Sequence, residues 1–183
     1  MLELSDAELV EHAQNGNLDA VGQLYDRHRT RIFRYVRSRI YNTQLAQDLT
    51  GEVFLQMVTH LPGYRVTAVP FSAWLYRIAH NHIINHAGRK ENRYQYVPLL
   101  YASDVISQKE DNPARIVEQK LQLEEVQQAL ERIDEIQREV IVLRFLLDFS
   151  LKEVALVLGK TVAAVKSIQH RGLLALEVAM KYE

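Results

Sequence analysis

Residues 150–176 constrain the fold of this chain more than any other stretch. Ser150 and Glu153 form a capping box, the reciprocal pairing of side chains and backbone that begins a helix. Gly159 can adopt the positive φ that ends a helix and turns the chain, and Thr161 can cap a second helix. Two helices joined by such a tight turn are typical of a helix-turn-helix, so we predict this motif here.

The apolar spacing of both helices supports this prediction. The inner faces would be formed by Val154, Ala155 and Leu158 on the first helix and by Val162, Val165 and Ile168 on the second. The small Ala155, followed by Gly159 four residues later, suits the point where the two helices cross closely. A plain helical hairpin would also bury these residues, but it does not explain why caps, glycine and apolar spacing all agree.

The outer face of the second helix carries side chains that can contact DNA. Small and polar residues there could reach base edges and phosphates in a major groove. Together with the capping residue they are Thr161, Ala163, Lys166, Ser167, Gln169, His170 and Arg171. The motif therefore predicts binding to duplex DNA.

Helical spacing also dominates the rest of the chain, and no stretch alternates for long like a half-buried strand. A capping box at Ser5 and Glu8 begins the first of four predicted N-terminal helices. The second is predicted over residues 18–40, the third ends at the Pro-Gly pair of residues 62–63, and the fourth covers residues 71–87. We therefore predict an all-α fold.

Residues from about 91 to 114 differ in character from the helical segments on either side. They show no sustained period and are rich in polar and turn-forming residues, so we interpret them as a partly mobile linker. Helical spacing then resumes, and Asp134 is placed to cap a further helix. The predicted organisation is an N-terminal domain of residues 1–92, a flexible linker of residues 93–114 and a C-terminal domain of residues 115–183 that contains the helix-turn-helix.

Composition narrows the class of protein. The chain has 183 residues, of which 48% are apolar, enough for two small helical cores. It has no cysteine, which excludes disulfides, thiolate metal sites and cysteine nucleophiles and suits a reducing compartment. It shows neither a signal-peptide pattern nor an apolar run of the roughly 20 residues that span a bilayer. We therefore predict a cytoplasmic protein without membrane insertion.

Two separate blocks of sequence resemble the sigma-70 family of transcription factors. Residues 133–145 (IDEIQREVIVLRF) and 150–155 (SLKEVA) are similar to the fourth conserved region of that family. Residues 48–54 (DLTGEVF) are similar to its second region, where sigma factors bind RNA polymerase, and residues 71–81 (FSAWLYRIAHN) resemble its promoter-melting segment. The presence of these two domains alone resembles the small extracytoplasmic-function group.

The resemblance implies a mechanism and assigns residues to it. Core RNA polymerase would be bound by an exposed helical stripe made of Gln47, Asp48, Glu52 and Gln56. The helix-turn-helix would recognise the −35 element of the promoter as duplex. The −10 element, partly single-stranded, would be contacted by Tyr64, Arg65, Phe71, Trp74, Arg77, His80 and Asn81, with residues 64–73 forming the loop that receives an extruded base.

The residue types at the predicted −10 surface suit that task. Single-strand binding requires aromatic faces on which bases stack and cationic groups that neutralise phosphates, and this stretch, which also includes Tyr76, holds both. For Trp74 a place in the core is favoured over base stacking, and Leu75 and Ile78 are expected in the core. Since small sigma factors of this group are commonly held inactive by an anti-sigma factor, we expect such a partner in addition to RNA polymerase and promoter DNA.

The charge pattern leaves one question open. The net charge of −1 alone argues against a nucleic-acid-binding protein, but six arginines fall within residues 27–39. A local cluster of one sign matters more than the total for binding a polyanion. This cluster could be a solvated helix face, or part of it could contact phosphates or polymerase.

The chain departs from the family pattern at several positions. Gly51 stands where a glutamine is frequent, inside a predicted helix, and Asp134 replaces a frequent proline. Asn85 stands where an acidic residue is common. Residues 172–176 (GLLAL) replace a stretch that is often rich in arginine, so we expect fewer phosphate contacts and a modest affinity for the −35 element.

Two other functions remain as alternatives at this point. A stand-alone helix-turn-helix regulator would use the N-terminal half as a sensor domain. The blocks at residues 48–54 and 71–81 argue against this function, because they resemble the second region of sigma-70 factors. A nuclease or recombinase would need clustered carboxylates or a nucleophile with its base, and the sequence offers neither. His80, His82 and His86 have part of the spacing of metal ligands, but no carboxylate lies near them in sequence, so we expect no metal there. We also expect no cofactor and no enzymatic activity.

Overall fold

A computed structural model describes residues 4–40, 42–87 and 125–181 of the chain. The regular elements in these ranges are all helical, which confirms the predicted fold class. The α-helices are α1 (Asp6–Gln14), α2 (Leu18–Arg37), α3 (Thr43–His60), α4 (Phe71–Ala87), α5 (Glu135–Ile141), α6 (Leu151–Leu158) and α7 (Val162–Lys181). A 3₁₀ turn (Leu61–Gly63) follows α3, a π-helical turn (Val142–Leu146) follows α5, and residues 125–131 are also helical.

The helices belong to two compact units. The first contains α1 to α4, and the second contains the helical residues 125–131, α5, most of α6 and α7. The predicted linker of residues 93–114 lies outside the described residues, and so do the proposed boundaries on both sides of it. None of the described helices has both the length and the apolar character required to cross a membrane.

Short polar side chains set where the helices begin, as the capping pattern predicts. Ser5 and Glu8 form the expected capping box at the start of α1. Asn17 accepts a hydrogen bond from a backbone N–H in the first turn of α2, and Asn42 does the same for α3. Each cap satisfies a backbone donor that the helix itself cannot pair.

The first unit packs around the inner stripes of its four helices. Fully buried side chains from every helix meet there: Leu9 and Val10, Leu24, Ile32, Tyr35 and Val36, Val53 and Met57, and Leu75 and Ala79. The apolar spacing predicted most of these positions, because residues three and four apart share a helix face. Leu18, the first residue of α2, is apolar but has 81% of its surface exposed.

The predicted second helix ends earlier than its apolar pattern suggests. Helix α2 stops at Arg37, three residues before the expected end at Ile40. Ile40 is nevertheless buried, and its carbonyl accepts a hydrogen bond from Arg37 Nη1 at 3.1 Å. The hydrophobic pattern continues past the helix because residues 38–40 remain bonded to its last turn, which keeps Ile40 in the interior of the first unit.

The second unit is centred on a small apolar cluster. Leu130, Ile133 and Ile141 are buried there, and Val126, Ala175, Leu176 and Ala179 pack against them. Arg138 ties α5 to the end of the preceding helical segment by donating hydrogen bonds to the carbonyls of Leu130, Glu131 and Ile133. The carbonyls of Leu130 and Glu131 lie in the last turn of that segment, where a helix leaves carbonyls without partners, so the arginine caps it.

A glycine allows a close approach between two helices in this unit. Helix α7 crosses α5 at Gly172, where a Cβ atom would lie 3.1 Å from Ile141 Cδ1 and 3.2 Å from Gln137 Cβ. These distances are shorter than ordinary van der Waals contact. The glycine that departs from the family pattern therefore has a packing role, which single-sequence reasoning could not assign.

The turn before the helix-turn-helix contains an uncommon backbone conformation. Asp148 has φ of 56°, in the left-handed region that residues other than glycine seldom adopt. The turn follows the π-helical segment, and Phe149 N–H donates to the carbonyl of Leu143 at 2.9 Å. Aspartate is among the residue types that tolerate this region best, which explains its presence here.

Candidate functional site

Three aromatic side chains form a cluster where the chain enters α4. We call Tyr64, Phe71 and Trp74 the aromatic cluster. Their ring centroids lie 5.4 Å apart for Tyr64 and Phe71, 5.4 Å for Phe71 and Trp74, and 4.6 Å for Tyr64 and Trp74. Phe71 is only 4% exposed, whereas the other two are half-buried. Phe71 is therefore the buried member of the cluster, and the rings of Tyr64 and Trp74 are partly exposed to solvent.

The loop beside the aromatic cluster is shorter than predicted. It covers residues 64–70, because α4 already begins at Phe71. The carbonyl of Pro70 accepts a hydrogen bond from the N–H of Ala73, which makes residues 71–73 the first helical turn. Residues 65–68 are exposed, so this stretch of the predicted loop is open to solvent.

The remaining predicted −10 residues lie on α4 with different exposures. Arg77 and Asn81 are exposed and four residues apart, so they share the outer face of the helix. His80 is half-buried, with its Nδ1 atom 3.3 Å from the hydroxyl of Tyr35. Tyr76 belongs to the core instead of the DNA-facing set, since only 3% of its surface is exposed and its ring packs on Tyr35. This burial raises the pKa of its hydroxyl to about 12.

Helix α1 supports the aromatic cluster, a role that the sequence did not indicate. Asp6 Oδ1 accepts a hydrogen bond from Arg27 Nη1 at 2.7 Å, and Asp6 Oδ2 lies 2.8 Å from His28 Nε2. The ring of His28 in turn contacts Phe71 edge-on, with centroids 5.7 Å apart. These partners are separated by more than 20 residues in sequence, so no local pattern could have revealed them.

The protonation of Asp6 reflects this environment. Burial raises the pKa of the carboxyl group, but hydrogen bonds and charge from His28 and Arg27 outweigh burial and lower it below its ordinary value. A lowered pKa in the folded state stabilises the fold above about pH 4, the ordinary value for an aspartate. That stabilisation is lost as the pH falls through the lowered pKa of Asp6.

The predicted polymerase-binding stripe is exposed along α3. The side chains of Gln47, Asp48, Glu52 and Gln56 all lie on the solvent side of the helix. Beside them an open groove of about 350 Å³ runs between α2 and α3. It is lined by Tyr25, Arg29, Thr30, Phe33, Gln47, Thr50, Gly51 and Phe54. Because Gly51 has no side chain and no neighbour within 4 Å of its would-be Cβ, it leaves the groove accessible.

One acidic residue of the stripe has a partner in the same unit. Glu52 Oε2 lies 3.2 Å from His82 Nδ1, which joins α3 to α4. The sequence showed no carboxylate near this histidine, yet the fold brings one to it. Within the described ranges no group of three or more histidine, aspartate or glutamate side chains is arranged to hold a metal ion.

The arginine cluster of residues 27–39 does not form a single exposed face. Arg27 is bound to Asp6 and to the carbonyl of Leu4. Arg39 is buried, with its guanidinium 4.9 Å from the centroid of the Tyr35 ring. Several of these arginines therefore stabilise the first unit from within, and the charge pattern alone could not separate them from surface residues.

The helix-turn-helix has the predicted local geometry. Ser150 and Glu153 form the capping box, and Thr161 Oγ1 accepts a hydrogen bond from the N–H of Ala164 at 3.1 Å. Gly159 has φ of 62°, as the turn requires. The inner residues Val165 and Ile168 are buried. Most of the predicted DNA-facing residues are exposed, namely Thr161, Ala163, Lys166, Ser167, His170 and Arg171.

Gln169 differs from the rest of this set. It is half-buried, and its Oε1 atom accepts a hydrogen bond from Arg144 Nε at 3.0 Å. Arg144 also donates to the carbonyl of Phe149. The glutamine therefore connects α7 to the π-helical turn, which orients the exposed face of α7.

Comparison with known proteins gives relatives over most of the chain. BldN, an extracytoplasmic-function RNA polymerase sigma factor of Streptomyces coelicolor, is 34% identical over 91% of this chain, which spans 62% of the length of BldN. YlaC, an RNA polymerase sigma factor of Bacillus subtilis, is 26% identical over 88% of this chain and 92% of its own. The structure of CnrH in complex with the cytosolic domain of CnrY matches 97% of this chain and 98% of CnrH, with a TM-score of 0.65 and 26% identity.

The fold and these surfaces define an all-helical DNA-binding protein with a C-terminal helix-turn-helix. Two family models match it, sigma-70 region 2 over residues 24–93 and sigma-70 region 4 over residues 123–176. The chain therefore belongs to the sigma-70 family of RNA polymerase sigma factors, in its extracytoplasmic-function group. The resemblance drawn from the two sequence blocks is confirmed, and the alternative of a stand-alone regulator is not favoured.

Proposed function

We propose that this sigma factor binds core RNA polymerase through the stripe on α3, places it over the −35 element through α7, and opens the −10 element with the aromatic cluster. The observation that carries the proposal is the aromatic cluster itself. Two half-exposed rings, Tyr64 and Trp74, stand on a buried Phe71 beside the exposed loop that contains Arg65. Such rings offer stacking surfaces to unpaired bases.

The exposed face of α4 extends this surface. Trp74, Arg77 and Asn81 follow one another at helical spacing, so a ring, a cation and an amide lie along one side of the helix. The ring would stack on a base, the guanidinium would neutralise a phosphate, and the amide could donate to or accept from a base edge. His80 is less available for this task, because it is half-buried near Tyr35.

The proposal includes partners and properties that the family implies. CnrH is described in complex with the cytosolic domain of CnrY, and the sigma factor RpoE of Bartonella quintana, which has a similar fold, is described in complex with the anti-sigma factor NepR. We propose that an anti-sigma factor also regulates this chain. We further propose that it acts in the cytoplasm without enzymatic activity of its own, since its surfaces suit binding and positioning.

Transcription from purified components tests the proposal directly. Core RNA polymerase with this protein should initiate run-off transcription at specific sites in a library of genomic promoter fragments. Core polymerase alone should give no such transcripts. Absence of both polymerase association and directed initiation would contradict the proposed function.

A charge reversal tests the polymerase-binding stripe. Asp48→Lys should raise the Kd for core polymerase by about tenfold, because an exposed carboxylate that faces a cationic partner surface contributes roughly 1.4 kcal/mol. The Kd can be measured by fluorescence anisotropy of the labelled sigma factor. Glu11→Lys makes the same charge change at an exposed position on α1 and should leave the Kd unchanged. Equal effects of the two variants would show that net charge, not the stripe, determines affinity.

The salt dependence of promoter binding tests the role of α7. Four exposed cations lie in and around the helix-turn-helix: Lys152, Lys160, Lys166 and Arg171. If all four neutralise phosphates, raising salt from about 50 to 200 mM should weaken binding roughly 100-fold, against about 1,000-fold or more for six contacts. Lys166→Gln should reduce the slope of log affinity against log salt by about 1.

The matched control for this experiment lies at the end of the same helix. Lys181→Gln removes an equal charge from a lysine that pairs with Glu177, 2.5 Å away. Its slope should equal that of the unchanged protein. Binding of both variants to a −35 duplex can be followed by anisotropy at several salt concentrations. An unchanged slope for Lys166→Gln would exclude a phosphate contact at that residue.

A further inference from the structure

Helix α1 is connected to the aromatic cluster at two points, through His28 near its start and directly through Gln14 at its end. Near the start of α1, Asp6 Oδ2 lies 2.8 Å from His28 Nε2, within hydrogen-bond distance, and the ring of His28 packs edge-on against Phe71. A carboxylate can only accept hydrogen bonds, so His28 Nε2 carries the proton in this contact. Arg27 fixes the other carboxylate oxygen at 2.7 Å and also donates to the carbonyl of Leu4. The orientation of His28 is therefore set from α1.

At its other end, α1 holds the backbone that leads into the cluster. Gln14 Nε2 donates to the carbonyl of Leu61 at 2.9 Å and to the carbonyl of Tyr64 at 2.6 Å. These bonds connect the last turn of α1 to the 3₁₀ turn and to the first residue of the loop. Asp6 and Gln14 are about 12 Å apart along the helix axis. One rigid helix thus anchors both Tyr64 and, through His28, Phe71.

The charge of Asp6 also reaches the cluster. Burial raises the pKa of the Tyr64 hydroxyl, and the negative charge of Asp6 raises it further. The carboxylate is therefore close enough to influence Tyr64 as well as to bind His28. This helix lies outside the matched sigma-70 region 2, which begins at residue 24. Nothing in the family match assigns it a part in promoter opening.

We propose that Asp6 and Gln14 are positioning residues for promoter opening, which hold Phe71 and Tyr64 so that the aromatic cluster is ready to bind the unpaired −10 strand. This inference rests on the proposed function of the cluster. Neither residue needs to touch DNA. Loss of either would let the rings move, so that part of the free energy of strand binding would be spent on ordering them.

Two variants test the proposal in the complete holoenzyme. Asp6→Asn retains the size of the side chain but loses its charge, and Gln14→Leu removes both donors. Each should reduce the fraction of promoter opened, measured by permanganate reactivity of −10 thymines, by about tenfold. Each should weaken binding of a single-stranded −10 oligonucleotide by a similar factor. Asp6→Glu should recover part of the loss, since it restores the carboxylate.

Matched controls come from α2. Asp19→Asn makes the same chemical change in the first turn of a helix, and Gln23→Leu removes an exposed amide. Both should open the promoter normally. The Kd for core polymerase should be nearly the same in all variants, because positioning affects strand capture and not assembly. Asp6→Asn also loses the stabilisation given by the paired carboxylate, so all variants are compared at a temperature well below its melting temperature.

The outcomes separate this inference from the proposed function. Holoenzyme with the unchanged protein must first open the promoter; if it does not, the proposed function itself fails. If it does, normal opening by both Asp6→Asn and Gln14→Leu would overturn the inference alone. An equal loss of polymerase affinity and promoter opening would also overturn it, because it would indicate general unfolding of the first unit.

Discussion

The variant Gly172→Leu should unfold the C-terminal unit at a temperature roughly 10 °C lower than the unchanged protein. The would-be Cβ already lies 3.1 Å from Ile141 Cδ1 and 3.2 Å from Gln137 Cβ, so three further carbons have no space between α7 and α5. Overpacking of this kind costs about 2 kcal/mol, which corresponds to such a shift in a domain of this size. Hydrogen exchange on the full chain should show faster exchange in α5 and α7 and no change in α2.

A second glycine provides the control for this prediction. Gly22 lies inside α2, is exposed and has no neighbour within 4 Å of its would-be Cβ. Gly22→Leu should therefore stabilise its helix by up to about 1 kcal/mol, as expected from helix propensity. If Gly172→Leu were as stable as Gly22→Leu, this result would contradict the claim that α5 and α7 cross too closely at Gly172 to admit a side chain.

The variant Trp74→Ala should reduce promoter opening by roughly 30-fold, if the ring stacks on an unpaired base. Such stacking contributes about 2 kcal/mol per base. Trp74 is half-buried and stands next to Tyr64, so the alanine variant should lose less stability than a change at the buried Phe71. Opening can be followed with 2-aminopurine in the −10 element of a promoter bound by holoenzyme.

Two comparisons make this result specific. Trp74→Phe keeps an aromatic face and should retain most of the opening. Ile84→Ala truncates another partly exposed apolar side chain of α4, one with 51% of its surface accessible, and should open the promoter normally. Normal opening by Trp74→Ala would remove this residue from the DNA-binding surface and leave it a packing role.

Local chemistry predicted the helix-turn-helix well. The capping box at Ser150, the positive φ at Gly159 and the cap at Thr161 each depend on side chains within a few residues of the backbone groups they satisfy. The same reasoning predicted exposure of the stripe around Asp48, because helical spacing decides which residues share a face. Such features are visible in a single sequence.

Contacts between distant segments were not predictable in this way. The pairing of Asp6 with Arg27 and His28, the crossing at Gly172 and the burial of Tyr76 all depend on which helices meet in space. The arginine cluster shows the same limit. Its charge pattern left open a solvated face or contacts with phosphates or polymerase, whereas the structure buries Arg39 inside the first unit. The DNA and polymerase contacts assigned to individual residues remain predictions.

The position of Gly172 also bounds the length of promoter that α7 can recognise. From this residue onward one face of the helix packs against α5, Ile133 and Leu130, so we expect the DNA-facing part to lie between Thr161 and Arg171. Ten residues of helix cover about 15 Å. At the 3.4 Å rise of B-form DNA this length matches a footprint of about four base pairs. Substitutions in the −35 element should therefore impair activity within a window of that width and be tolerated on both sides of it.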